Sequence, residues 1–398
     1  MKKTLAAVAV LGAFAGSALA ADVQLYGIVD MGLVYSHVDT DGIGDDVDSF
    51  QMKSGQASGS RWGFKGTEDL GNGLTVGFIL EDGFDADDGS EDSTGVMFNR
   101  ESSLFLQGSF GKFAMGRMGA LNNGQSSWAK VGMLSAFGTS DWGGYSAQLS
   151  NIFSLAGQWD NMIAYETPDF AGFKVYAQYG MGSADENEST SDRFYAIGAT
   201  YNNGPIAGYF AVDSINYKTW GDDAPVAGAD EIEDSLTVTL GGSYDFDVVK
   251  VYLGAQYFDE VKLSSIGGIV KDYKDAPISG SAASFTKLGD LKIKGYGISL
   301  TGDAPVAGGK VMFGVGYVDA DAADSMTDAR AELDDVSVKR YVVSVGYDYP
   351  FSKRTDVYAV ASYSQDQLEW RETGGKNVGA HDNDLSSYAV VVGLRHRF

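Results

Sequence analysis

Residues 388–398 read YAVVVGLRHRF, and the alternation in this stretch decides the fold. Tyr388, Val390, Val392, Leu394, His396 and Phe398 fall on one parity, and Ala389, Val391, Gly393, Arg395 and Arg397 on the other. Side chains of a strand alternate with period two, so the stretch is a strand with one apolar face and one face bearing two guanidinium groups. An arginine facing lipid at bilayer mid-depth costs roughly 2–4 kcal/mol. The arginine face is therefore expected to look into an aqueous lumen and the other into hydrocarbon. A strand that runs to Phe398 is expected to close a sheet against the first strand, because hydrocarbon offers no partner to an open edge.

The same period recurs along the chain. Val23, Leu25, Gly27, Val29, Met31, Leu33 and Tyr35 share one parity, and Val311, Phe313, Val315 and Tyr317 repeat the pattern later. Connections alternate between tight turns, such as Asn202-Asn203-Gly204-Pro205 and Asp245-Phe246-Asp247, and long segments that are mostly acidic. Short turns on one side and long loops on the other describe an outer-membrane barrel. Sixteen strands are expected, starting near residues 23, 60, 74, 98, 113, 161, 173, 193, 206, 235, 248, 293, 310, 339, 355 and 386. A spanning strand needs about 9–11 residues, so the chain has ample length for loops. A soluble sandwich or propeller would also alternate, but it gives no reason for 22 tyrosines and 21 phenylalanines, many of them near strand ends. A barrel in lipid uses such residues as interfacial girdles. The fold class is thus all-β, a transmembrane antiparallel β-barrel.

The first residues read differently. Lys2 and Lys3 precede an apolar run from Leu5 to Phe14, and Ala18-Leu19-Ala20 forms a small-residue cleavage pattern. Residues 1–20 are expected to be a secretory signal peptide and 21–398 the barrel. No later stretch has the ~20 consecutive apolar residues of a membrane helix. The chain has no cysteine, so disulfides, thiolate nucleophiles and cysteine metal sites are excluded. Its formal net charge is -25. Such a surface repels nucleic acid. Of 54 acidic residues, 29 lie in five windows: Asp39–Asp48, Glu81–Asp92, Asp185–Asp192, Asp222–Asp234 and Asp319–Asp335. These windows are expected to be solvated loops.

Four further stretches carry a family likeness: VQLYGIVDMGLVYS from Val23, SRWGFKGTEDLGNGLTVGFILEDGF from Ser60, FNRESSLFLQGSFGKFAMGR from Phe98 and NMIAYETPDFAGFKVYAQYG from Asn161. In this order, and with the closing strand, the chain resembles Gram-negative general porins of the trimeric beta-proteobacterial type. The resemblance implies sixteen strands, a homotrimer in outer-membrane lipid and lipopolysaccharide, and a water-filled channel for passive diffusion of ions and small hydrophilic solutes. It also implies that the third long loop, here about Met118 to Asp160, folds into the barrel and narrows it. The terminal Phe398 resembles the signal that directs such proteins to the barrel-assembly machinery.

Parity selects the lumen charges. Trp62 and Phe64 take the lipid face, which turns Arg61 and Lys65 inward; Leu74, Val76, Phe78 and Leu80 face out, which turns Glu81 inward. Arg100 faces inward by resemblance. The constriction is expected to comprise Arg61, Lys65, Glu81, Arg100 and Arg117, with Asp141 and Asp160 from the loop. Fixed charges across a narrow passage orient dipolar solutes and set ion preference. Relatives often carry another arginine shortly before the sixth strand, where this chain has Gln158-Trp159-Asp160. Together with the negative net charge, that departure points to weak selectivity leaning toward cations. The alternative is a substrate-specific channel for a sugar or a carboxylate, for which Tyr26, Tyr176 and Tyr252 face inward. An enzyme is not expected: the three histidines, His37, His381 and His396, have no nucleophile–base pattern beside them. No cofactor or metal site is expected either, since phosphate-loop, zinc and EF-hand spacings are absent.

Overall fold

Alternation built on valine, tyrosine and glycine makes each segment a strand with one greasy and one small or polar face, and the computed structural model assembles these into one closed antiparallel barrel. The structure describes residues 22–39, 45–182, 192–217, 233–267, 291–329, 336–371 and 380–398. The acidic window Asp185–Asp192, apart from its last residue, and most of Asp222–Asp234 lie outside them. The strands are β1 (Asp22–Asp39), β2 (Val47–Ser54), β3 (Arg61–Gly71), β4 (Leu74–Gly83), β5 (Glu101–Gly108), β6 (Gly111–Gly119), β7 (Gln158–Glu166), β8 (Phe173–Gly180) and β9 (Arg193–Asn203). They continue with β10 (Ile206–Asn216), β11 (Leu236–Asp245), β12 (Lys250–Lys262), β13 (Lys292–Val306), β14 (Gly309–Ala322), β15 (Ser337–Pro350), β16 (Thr355–Arg371) and β17 (Ala380–Arg397).

Each strand pairs with its chain neighbours, and β17 returns to β1. Strands β2 and β3 both pair with β1, the first along Met31–Val38 and the second along Asp22–Ile28. They are two halves of one stave, interrupted at 55–60, so the barrel has the expected sixteen staves. Closure reaches the last residue: the Phe398 amide donates to the Gly27 carbonyl at 3.0 Å and accepts the Gly27 amide at 3.2 Å. Gly27 has room for this because it lacks a Cβ, which would sit 2.3 Å from the Phe398 ring.

Most strand starts fall within three residues of expectation. β17 begins earlier, at Ala380, because the polar HDNDL run still pairs with a long β16. Val47–Ser54 lies partly in an acidic window yet pairs with β1.

The lipid face is ordered by chemistry. Tyr35–Tyr388, Tyr179–Tyr195 and Tyr317–Tyr341 form ring pairs toward the long-loop end, while Tyr244–Phe246 and Tyr349–Phe351 pair at the turn end. Between these girdles Leu240, Leu253, Leu300, Val315, Val345 and Val392 are exposed aliphatics, as hydrocarbon requires.

The core lies inside the barrel. Residues 120–157, between β6 and β7, fold across the lumen and bury Leu121, Trp128, Val131, Leu134, Leu149, Ile152 and Phe153. A loop in this position must find partners for its backbone, and inward polar side chains of the wall supply them. Gln178 accepts the Leu121 amide at 2.9 Å, Thr301 the Ala136 amide at 2.9 Å, Ser344 the Ala147 amide at 2.8 Å and Gln256 the Ser154 amide at 2.6 Å. Wall glycines make the space: a Cβ on Gly297 would lie 2.0 Å from the Ile152 carbonyl oxygen.

Candidate pore constriction

With the loop laid against β8 and β10–β16, open space remains on the side of β3–β5. It is a cavity of about 720 Å³ between that wall and the loop. Arg61, Lys65, Glu81, Arg100 and Asp141 line it, five of the seven residues expected at the constriction. Tyr26, Glu101, Gln125 and Gln158 line it as well.

Glu81 organises the wall. Arg100 Nε donates to one carboxylate oxygen at 2.8 Å, Arg61 Nε approaches the other at 3.4 Å, and the Tyr26 hydroxyl donates to it at 3.0 Å. Arg100 then reaches across to the loop, where its Nη1 donates to Gln125 Oε1 at 2.9 Å. Gln158 Nε2 donates to the same oxygen at 2.8 Å. Arg61 stays more open, with Nη1 donating to the Gly59 carbonyl at 3.0 Å. Lys65 Nζ sits 5.0 Å from the centre of the Tyr26 ring. Two guanidinium groups thus share one carboxylate.

Arg117 and Asp160 are corrections. Neither lines the cavity; they pair with each other at 2.6 Å, and Arg117 Nε donates to the Asn99 carbonyl at 2.7 Å. The β6–β7 register slips between Gly116 and Met118, and Asn161 takes a left-handed φ of 52°. This bulge turns Trp159 onto the buried Phe194 ring at 5.1 Å and leaves Arg117 on the parity of the outward Met115. The side chain at the departure from the porin pattern, Gln158, is a neutral amide at the cavity wall.

Several residues that hold the site were not singled out from sequence. Glu101 is 1% exposed and takes the Ser126 hydroxyl at 3.0 Å and the Ser127 amide and hydroxyl at 2.7 and 2.9 Å, which pins the start of the loop to β5. Arg100 and Glu101 both point inward because β5 begins only at Glu101, after a left-handed Phe98 (φ 56°). Asp30, fully buried, accepts the Ala57 and Ser58 amides at 2.8 and 2.6 Å and the Tyr358 hydroxyl at 2.5 Å. It draws residues 55–60 into the lumen, where the Gln56 carbonyl accepts the Trp142 amide at 2.8 Å and Gln56 Oε1 the Gly143 amide at 3.0 Å. Arg395, inward as its parity requires, donates to Asp356 and to the Ser58 hydroxyl. An aspartate at mid-strand on an inward parity was the available signal for Asp30; nothing in the sequence marked Gln56.

Of the inward tyrosines only Tyr26 lines the cavity. Tyr176 is buried beneath the loop with its hydroxyl 3.2 Å from Thr200, and Tyr252 donates to Asp303 at 2.8 Å. His37 lies 3.1 Å from Asp48 and His396 2.8 Å from the Thr355 hydroxyl. The side chain of His381 lies outside the described residues.

Residues 6–367 match the family model described as Gram-negative porin. An outer membrane porin protein of Bordetella pertussis is 32% identical over the full length of both chains. Among solved structures, the anion-selective porin from Comamonas acidovorans is similar at a TM-score of 0.61 and 26% identity, over 95% of this chain and all of that one. OmpT of Vibrio cholerae in its trimer form matches at a TM-score of 0.58 and 18% identity, over 95% of this chain and all of that one, a likeness of fold alone. A closed barrel, a lumen narrowed by its own loop and a full-length match to the family agree: the chain belongs to the Gram-negative porins, and it is an outer-membrane channel for passive diffusion.

Proposed function

We propose that ions and small hydrophilic solutes cross between the Arg61–Glu81–Arg100 wall and the loop at Gln125 and Asp141, with weak charge selectivity, and that the chain acts as a channel and not as an enzyme. The observation that carries this reading is the mixed lining: Arg61, Lys65 and Arg100 stand with Glu81, Glu101 and Asp141 around one cavity. Equal numbers of both signs attract neither ion strongly. The Comamonas relative is named as anion-selective; here Gln158 is neutral, and Glu81 offsets both arginines, which supports a weaker preference. The lean toward cations expected from net charge rests on acidic loops, whose field is screened beyond ~8 Å at physiological salt.

A homotrimer is part of the proposal. It is supported by the trimer form of the Vibrio neighbour and by the Arg117–Asp160 pair, a polar pair on an outward parity that suits a protein neighbour better than lipid. Residues 1–20 act as the export signal, lipopolysaccharide surrounds the trimer, and Phe398 is read by the assembly machinery. Single-channel recording tests the channel reading: conductance should rise with salt concentration and be unaffected by sugars. Saturating, sugar-blocked current would favour a substrate-specific pore instead. Arg61→Glu or Arg100→Glu should raise cation preference, and the pair more so; unchanged zero-current potentials in both would remove these residues from the narrow part.

A further inference from the structure

Below the arginine wall, at the turn end of the barrel, three lysines converge that the cavity does not include. Lys112 is the second residue of β6 and Lys174 the second of β8, so both enter the lumen just after tight turns. Lys130 comes down from the inserted loop. Their surroundings interlock. Lys112 stands opposite Glu166 in the β6–β7 register, and Glu166 stands opposite Tyr176 in β7–β8. Lys174 Nζ lies 2.5 Å from Glu166 Oε1. Lys112 Nζ sits 4.3 Å from the centre of the Phe105 ring and 5.2 Å from that of Trp128, and Lys130 Nζ 5.5 Å from that of Tyr176.

The charges do not cancel. Glu166 is engaged by Lys174, and Glu101, the other nearby carboxylate, is taken up by Ser103, Ser126 and Ser127. Lys130 uses one of its three protons, donating to the Ser127 carbonyl at 2.7 Å. Among the described residues Lys112 makes no hydrogen bond or ion pair; aromatic faces alone hold it, an attraction of about 0.5–2 kcal/mol. Burial pushes the Lys130 ammonium below its ordinary value; Glu166 raises it, and Lys112 and Lys174 lower it further. Two ammonium groups therefore keep donors to spare, beside apolar ring edges, on one side of the lumen.

We propose that Lys112 and Lys130, steadied by the Lys174–Glu166 pair, form a binding station for small organic carboxylates on the turn-end side of the constriction. This rests on the channel reading. The station would concentrate such anions next to the narrow passage without making the passage itself anion-selective. A carboxylate accepts from both ammonium groups while its hydrocarbon lies along the Phe105 and Trp128 edges.

Single-channel recording of the purified trimer with succinate on both sides tests it. Wild-type current should fall with succinate concentration. Lys112→Gln with Lys130→Gln should raise the half-blocking concentration about tenfold, the ratio carried by one lost charge-assisted contact, while conductance in plain chloride stays near wild type. Lys112→Met, which keeps the stem on Phe105, should give a smaller rise and serves where the double variant fails to form trimers. No block in wild type, an unchanged half-blocking concentration in the lysine variants, or block lost only in Arg61→Gln would overturn the station. A wild-type trimer that passes no current would instead refute the channel reading.

Discussion

Replacing Glu81 by glutamine isolates the charge balance of the constriction. Glu81 is the one carboxylate between Arg61 at 3.4 Å and Arg100 at 2.8 Å. Glutamine keeps an acceptor for Arg100 and the Tyr26 hydroxyl but removes the charge, so the trio changes by one unit toward positive. An ion passing about 8 Å away feels one such charge as roughly 0.5 kcal/mol in water and roughly 2 kcal/mol at an effective dielectric of 20. In a hydrated passage with screening the lower figure applies. Anion and cation respond in opposite senses, so the permeability ratio moves by about 1 kcal/mol, roughly fivefold toward anions. The assay is the zero-current potential across a planar bilayer in a salt gradient, on trimers that keep normal heat-modifiability. Arg100 is nearly buried, and breaking a buried pair outright costs about 3–5 kcal/mol, which the retained amide acceptor moderates. An unchanged permeability ratio in a well-folded Glu81→Gln trimer would refute the reasoning, because it would mean that ions pass out of reach of this wall.

Glu101→Ala removes three bonds to Ser126 and Ser127, each worth about 0.5–1.5 kcal/mol; single-channel traces should become noisier and mean conductance should rise. Gly297→Val drives side-chain atoms into the Ile152 backbone, so the loop must shift, and conductance should rise while the barrel still resists denaturation. Deleting Phe398 removes the two backbone bonds to Gly27 and the ring seated on it; the yield of heat-modifiable trimer in the outer membrane should fall, and a wild-type yield would defeat its assembly role.

The barrel was legible because lipid imposes a period-two rule on every strand. In β17 the buried Ala389 and Val391 alternate with the exposed Val390 and Val392 as the sequence requires. What period two cannot register is a break in it. The left-handed turns at Phe98 and Asn161 reassign the residues after them, bringing Arg100 and Glu101 inward together and sending Arg117 and Asp160 out as a pair. Val47–Ser54 carries acid and amide side chains because it extends the stave on the long-loop side, so composition disguised it as loop. The loop's path was implied by resemblance and its low charge; the wall residues that hold it, Gln178, Gln256, Thr301 and Ser344, are ordinary inward polar residues until the loop's amides are placed opposite them.

The passage between the loop and the arginine wall is tested most directly by a chemical plug. The chain has no cysteine, so Gln125→Cys places a single thiol on the loop face, at the position whose amide accepts from Arg100 and Gln158. A small water-soluble methanethiosulfonate reagent added during recording should lower the current in discrete steps, one for each pore modified. The same reagent acting on Val392→Cys, on the lipid face, should leave the current unchanged. Complete modification of Gln125→Cys, established by mass, with no fall in conductance would contradict a passage between the loop and the arginine wall.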